Sequence, residues 1–121
     1  MALITASRRS PIATQDGVFK NFEIEHLCNP VIESVIKDAK ISKSDIDCII
    51  LGNALGAGGN PARLCSLFAK LPETCPALTI DTQCCSGIDA IGVAANRINS
   101  GQADVVLAGG VESYSRAPLR A

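Results

Sequence analysis

Two adjacent cysteines, Cys84 and Cys85, stand in the stretch most able to do chemistry, residues 77–87, ALTIDTQCCSG. It reads as a short buried strand, a tight turn and the start of a helix. A cysteine at such a helix start faces backbone N–H groups and the positive end of the helix dipole, and both favour its thiolate. That is one way to build a sulfur nucleophile without a neighbouring base. Paired cysteines at an apolar helix start also suit a structural role, and these features alone do not choose between Cys84 and Cys85.

The other four cysteines are Cys28, Cys48, Cys65 and Cys75. Cys28, Cys48 and Cys65 fall among apolar residues and read as small buried hydrophobes. No secretory signal precedes them, so the even count does not argue for disulfides. No paired C-x-x-C spacing suggests zinc, so the expectation is no metal. The lone His26 lies beside an apolar helix face and reads as a surface or structural residue. A redox or metal role for Cys84-Cys85 finds little support in the surrounding spacing.

The elements that must position the cysteines follow from periodicity. Residues 3–6 form a short apolar run and read as a first strand, followed by a loop holding Pro11 and Gly17. Ile24, Leu27, Val31, Ile32, Val35, Ile36 and Ala39 recur at helical spacing. Pro30 either occupies the first turn of a helix capped near Asn29 or kinks a longer one, and the favoured reading is a regular helix over 30–39. Residues 48–51 are continuously apolar, a strand buried on both faces. The Gly-rich stretch 52–59 lacks a P-loop ending and a dinucleotide spacing, and reads as a close-packed turn. Asn60-Pro61 opens a helix to about Lys70, with Leu64, Leu67, Phe68 and Leu71 on one face. Residues 77–80 are the third strand. The helix after Cys84 is apolar or small nearly all round, which suits burial between layers. Gly101 reads as its C-terminal cap, and residues 105–108 as the fourth strand.

The expected order is therefore βαβαβαβ, an α/β chain with right-handed crossovers and a mostly parallel sheet. Its 121 residues show no internal repeat or linker, so residues 1–121 read as one domain. Apolar residues make up 47% and aromatics 3%, which favours a core of Ala, Val, Ile and Leu. A formal net charge of −1 gives no nucleic-acid footprint and no anionic-membrane patch. No run is long enough to span a bilayer, and the apolar residues of the N-terminus precede its arginines, the reverse of a secretory signal. The expected location is cytoplasmic.

Four segments carry a resemblance that runs nearly end to end: Arg9-Ser10-Pro11, Gly59-Asn60-Pro61-Ala62-Arg63, Cys84-Cys85-Ser86-Gly87 and Ala108-Gly109-Gly110-Val111-Glu112-Ser113. In order, they resemble the R-T-P-like turn, the G-x-N-P-A-R segment, the C-x-S-G nucleophile motif and the A-G-G-x-E-S segment of thiolases. The resemblance implies a thiolase-like N-terminal half, with the nucleophile helix buried between two sheets. It implies acyl transfer to and from coenzyme A through a cysteine thioester, within fatty acid metabolism. By motif position Cys84 matches the family nucleophile. Cys85 stands where thiolases carry a small residue, and a second thiol there adds susceptibility to oxidation. Asp81 stands where an Asn often precedes the motif, and Tyr114 where Met often follows E-S.

The resemblance implies no permanently bound cofactor, a coenzyme A thioester as substrate, and a homo-oligomer or a complementary C-terminal thiolase half as partner. The family's catalytic histidines, its Asn-bearing motif and its second catalytic cysteine lie in that C-terminal half, so the isolated chain is expected to be inactive. It reads as a piece of a longer enzyme, a subunit of a split one, or a degenerate non-catalytic relative that associates with another thiolase chain. A ketoacyl-synthase-like protein shares the fold and a cysteine nucleophile, but the N-P-A-R and G-G-x-E-S segments favour thiolase. With one sheet present, the helix after Cys84 is expected to expose a face.

Overall fold

Cys48-Ile49-Ile50-Leu51 forms the middle of the sheet, as a doubly buried apolar run should. The computed structural model describes residues 1–56 and 58–119; Ala57, within the Gly-rich stretch, and Arg120 and Ala121, at the end of the 1–121 span, lie outside the described residues. Strand β1, Cys48–Gly52, pairs in parallel with β2, Ala77–Ile80, on one side and with β3, Val106–Gly110, on the other. The strand order is β2-β1-β3. All five residues of β1 are buried.

Helix α1 spans Ile24–Ala39, α2 Pro61–Phe68 and α3 Ser86–Asn99. The step from β1 to β2 runs one way across the sheet, and the step from β2 to β3 runs back past β1. Right-handed crossovers in opposite directions place their helices on opposite faces. Accordingly Ile49 and Leu51 pack in the core with α1 and α2, whereas Cys48 and Ile50 pack against Ala90 and Ala94 of α3. The two-residue alternation of β1 thus serves two cores.

Several expectations are corrected. Residues 3–6 form no strand: Leu3 is 71% and Ile4 80% exposed, and no described strand pairs with them. Among the described residues three strands are therefore observed in place of four, with the α/β parallel architecture retained. A strand needs a neighbour for its backbone groups, and an apolar run does not supply one. Helix α1 starts at Ile24, so Pro30 lies inside it. An internal proline forfeits a helical hydrogen bond at a cost of about 3 kcal/mol. Here Cys28, on one side of it, is buried in the same core as Ile32 and Ile36 on the other, which holds both halves in line.

Helix α2 is capped as expected, with Asn60 Oδ1 accepting from the Arg63 N–H at 3.2 Å and Pro61 in the first turn. Its Leu64, Leu67 and Phe68 face outward, while Ala62, Cys65 and Ser66 are buried. Small side chains let the helix lie close to the sheet, so the inner face is the smaller one. Gly101 does end α3, following Ser100 with φ +75°. No helix among the described residues is long and apolar enough to cross a membrane.

The tightest junction joins β1 to α3. A Cβ on Gly52 would lie 2.6 Å from the Ser86 carbonyl carbon and 2.8 Å from the Gly87 nitrogen. Backbone atoms cannot swing aside as a flexible side chain can. Gly52→Ala is expected to destabilise the fold by about 1–3 kcal/mol, as overpacking does. Urea unfolding of the variant and parent checks this, and an unchanged midpoint would contradict the contact.

Asp47, just before β1, accepts N–H bonds from Asp104 at 2.7 Å and Val105 at 2.9 Å. Those two backbone bonds hold its carboxyl below the ordinary value. The bound carboxylate therefore stabilises the fold above the unfolded-state pKa of about 3.9, and this contribution fades as pH falls through the lower folded value. Asp47→Ala is expected to lower the melting temperature near neutrality and to converge with the parent at acid pH. Melting temperatures measured across that range check the sign.

Candidate active site

Parallel strands deliver their following loops to one edge of a sheet, and ligands of open α/β sheets bind outside that carboxyl edge. Here Gly52, Ile80 and Gly110 end the three strands at that edge. The loops beyond them carry Asn53 to Gly56, Asp81 to Cys85, and Val111 to Arg116. Backbone bonds tie the three ends together. The Asn53 N–H donates to the Ile80 carbonyl and the Val111 N–H to the Gly52 carbonyl, both at 3.0 Å.

The Asp81 to Cys85 loop is a sharp elbow. Gln83 has φ +58°, in the left-handed region that costs an L-residue about 1–2 kcal/mol. Asp81 Oδ1 accepts from the Gln83 N–H at 3.0 Å and stabilises this turn. Ser86 Oγ accepts from the Thr82 N–H at 2.9 Å and donates to the Gln83 carbonyl at 2.7 Å. Thr82 Oγ1 donates to Asp89 Oδ2 at 2.5 Å, tying the elbow to the first turn of α3. The local reason is compositional: Asp, Thr and Ser side chains substitute for backbone partners in short turns.

Cys84 lies in a single 3-10 turn, Gln83–Cys85, that runs directly into α3 at Ser86. The regular helix thus begins after both cysteines, not at Cys84. Cys84 and Cys85 are both exposed, and the other four cysteines are buried. A hydrogen bond with Cys28, together with burial, pushes the Cys65 thiol up. Burial pushes the Cys75 thiol up as well.

Of the remaining motif residues, Asn60, Pro61, Glu112 and Ser113 line one cavity, whereas Arg9 and the lone His26 do not. His26 is exposed and stacks edge-on against Phe68 at 4.8 Å, on the α1–α2 face. Arg9 is exposed on the N-terminal segment. Arg63 reaches the Cys75 and Glu73 carbonyls at 3.0 Å each, and Asn60 Nδ2 reaches the Ala77 carbonyl at 3.1 Å. The Asn-Pro-Ala-Arg segment therefore anchors the approach to β2, the strand that leads into the elbow. On α3, Ser86, Ala90 and Ala94 are buried, whereas Ile88 is 68% and Ile91 39% exposed. The helix exposes one face, as its all-round apolar character with one sheet leads one to expect.

Residues that sequence reasoning missed sit in the flanking loops. Glu112 accepts from Asn53 Nδ2 at 3.1 Å, from the Ala54 N–H at 2.8 Å and from the Leu55 N–H at 2.9 Å. Asn53, 6% exposed, also donates from Nδ2 to the Val111 carbonyl at 2.9 Å. In the sequence Glu112 stands out only as part of the Gly-Gly-Val-Glu-Ser segment. Asn53, directly after a buried strand, carried a signal only in its polar type. A cavity of about 250 Å³ opens beside this clamp, lined in part by Asn53, Leu55, Gly56, Glu112 and Arg116. Cys84 does not line it.

Comparison with known proteins bears on the family and the fold. The family described as thiolase, N-terminal domain, matches residues 2–121. A probable acetyl-CoA acyltransferase of Staphylococcus aureus (strain NCTC 8325 / PS 47) is 40% identical over 119 residues, which is 97% of this chain and 30% of the relative. The crystal structure of the Bacillus anthracis acetyl-CoA acetyltransferase superposes with a TM-score of 0.93 at 39% identity, over 98% of this chain and 30% of that one. The Acat5 thiolase from Ascaris suum, solved in complex with coenzyme A, superposes with a TM-score of 0.92 at 32% identity, over 97% of this chain and 31% of that one. The chain spans about 30% of the length of the curated relatives it matches.

The exposure contrast predicts thiol order. A maleimide added to the folded chain should label Cys84 and Cys85 first, and Cys28, Cys48, Cys65 and Cys75 only after unfolding. Peptide mapping by mass spectrometry reads this directly, and early labelling of Cys65 would contradict the fold.

Proposed function

The chain belongs to the thiolase family, matching its N-terminal domain, and on that premise we propose that it supplies the acyl-accepting part of an acyl-CoA acyltransferase, with Cys84 as nucleophile. The observation that carries the reading is the exposed Cys84 on an elbow at the carboxyl edge of a parallel sheet, directly ahead of a helix.

In this reading the Cys84 thiolate attacks the thioester carbonyl of an acyl-CoA. A tetrahedral intermediate forms and collapses, the carbon–sulfur bond to coenzyme A breaks, and coenzyme A leaves as its thiolate. The product is an acyl group in thioester linkage to Cys84 Sγ. The elbow suits this step. Its strained Gln83 is held by Asp81, and Ser86 closes the turn from the inside, so Sγ is presented on a fixed backbone. Fixed presentation lowers the barrier by removing orientational freedom before the reaction. The oxygen that gains charge needs N–H donors, and the first turn of an α-helix carries N–H groups without intrahelical acceptors. Cys85, one residue on, is a second thiol beside the reacting one. Coenzyme A enters as a substrate and not as a resident cofactor.

Completion of a condensation or a thiolysis requires a base for the second substrate. His26, the one histidine of the sequence, stacks against Phe68 on the α1–α2 face. We therefore assign acylation to Cys84 and the remaining steps to residues outside these 121, in a C-terminal thiolase half or a second chain. A second reading, a non-catalytic subunit that associates with another thiolase chain, is favoured by the exposed Ile88 and Ile91 on α3.

Exposure of the full-length polypeptide carrying this chain to acetyl-CoA should add one acetyl group, seen by intact mass and mapped to the peptide containing Cys84. Cys84→Ala should abolish the adduct, whereas Cys85→Ala should retain it. Persistence of the adduct in Cys84→Ala would move the nucleophile elsewhere. Absence of any adduct in the parent, with partner binding intact, would favour the non-catalytic subunit.

A further inference from the structure

Glu112 makes three hydrogen bonds that join segments nearly sixty residues apart, and none of them belongs to the sheet. One carboxylate oxygen, Oε1, accepts from Asn53 Nδ2 and from the Leu55 N–H, and the other, Oε2, from the Ala54 N–H. Two successive backbone N–H groups aimed at one carboxylate form a small anion-binding nest. Such bonds to a carboxylate are shorter and stronger than neutral ones. The loop so held begins at Gly52, whose Cα has no room for a methyl group against Ser86 and Gly87. Gly110, two residues before Glu112, also abuts this junction: a Cβ there would lie 3.5 Å from the Gly52 carbonyl oxygen and 3.6 Å from the Gly87 Cα. A shift of the Asn53 to Leu55 backbone is therefore transmitted through Gly52 to the start of α3, where the elbow bearing Cys84 ends.

We propose that Glu112 is a positioning residue for Cys84, acting through the Gly52–Leu55 backbone on the N-terminal turn of α3; this rests on the reading of Cys84 as the acyl-accepting nucleophile. Glu112 neither touches the substrate nor exchanges a proton in this assignment. Its role is geometric. The Val111 N–H at the end of β3 donates to the Gly52 carbonyl at 3.0 Å, and the carboxylate then locks the opposing loop. Asn53 completes the lock by sharing one amide nitrogen between Glu112 and the Val111 carbonyl. Placement errors near 1 Å at a reacting centre cost up to about a hundredfold in rate.

The test uses the full-length polypeptide and measures acetylation of Cys84 by acetyl-CoA in rapid-quench mass spectrometry, with melting temperature recorded in parallel. Glu112→Gln keeps the shape but turns an amide N–H₂ toward a backbone donor. The maximal acylation rate is expected to fall by about tenfold to about a hundredfold, with the half-saturating acetyl-CoA concentration changed by less than about twofold. Glu112→Asp retains both acceptor oxygens and is expected to lose less than Glu112→Gln. A lowered melting temperature with an unchanged maximal rate would make Glu112 a purely structural staple and overturn the proposal. If Glu112→Gln does not fold, Glu112→Asp carries the same comparison. If neither folds, the proposal is likewise overturned. Cys84→Ala runs alongside: adduct remaining there sinks the nucleophile reading itself, whereas loss of adduct there with parent-like rates in both Glu112 variants sinks only the positioning role.

Discussion

The structure depends on one close approach, between the end of the central strand and the start of the helix after the cysteines. At Gly52 the backbone of β1 meets the backbone of Ser86 and Gly87 with no space for a side chain. Everything at the carboxyl edge takes its position from that contact. It sets the height of α3 on the sheet, and so the point where the elbow from β2 must end. Interiors are packed too densely to absorb a displaced backbone locally. Gly52 is therefore a geometric requirement of the corner, whereas a Cβ on Gly87 would meet open space and one on Gly110 only ordinary contacts.

The reversal of strand order gives this corner its neighbours. Because β1 lies between β2 and β3, the loops after all three strands open side by side. The middle loop bears no chemistry of its own, yet it touches both others. Asn53 donates its N–H toward β2 and its side-chain amide toward the segment after β3. The polar groups of these loops are thus satisfied by one another, as buried or half-buried polar groups must be. The family's Asn-Pro-Ala-Arg segment extends the same logic. Its Asn60 and Arg63 hold the chain just before and within β2, and so fix the strand from which the elbow springs.

Much of this was legible in the residues. The apolar run 48–51, the Asn60-Pro61 helix start, the strand 77–80 and the elbow-to-helix change near Cys84 all follow from local pattern. The burial of Cys28, Cys48 and Cys65 also followed from their apolar neighbours. Other features were not legible, for definite reasons. Residues 3–6 look like a strand, but strand formation needs a pairing partner, which a local run does not contain. Helix α1 passes through Pro30 because packing on either side of it outweighs a propensity that reads as a stop. Helix α2 turns its larger apolar residues outward, since approach distance and not hydrophobicity alone chooses the inner face.

The sequence by itself determined the order of strand, turn and helix at the cysteine corner and the burial of Cys28, Cys48 and Cys65, because these depend on neighbours within a few positions; the start of α3 after both cysteines and the burial of Cys75 came only with the fold. It also carried the four motifs that point to thiolases. Only the tertiary structure decided that Glu112 clamps Asn53, Ala54 and Leu55, and that Gly52 bears on Ser86. Those partners lie far apart in the chain, and their meeting depends on strand order and crossover direction. A carboxylate in a Gly-Gly-Val-Glu-Ser segment has no defined partner until the sheet places the end of β1 beside the end of β3.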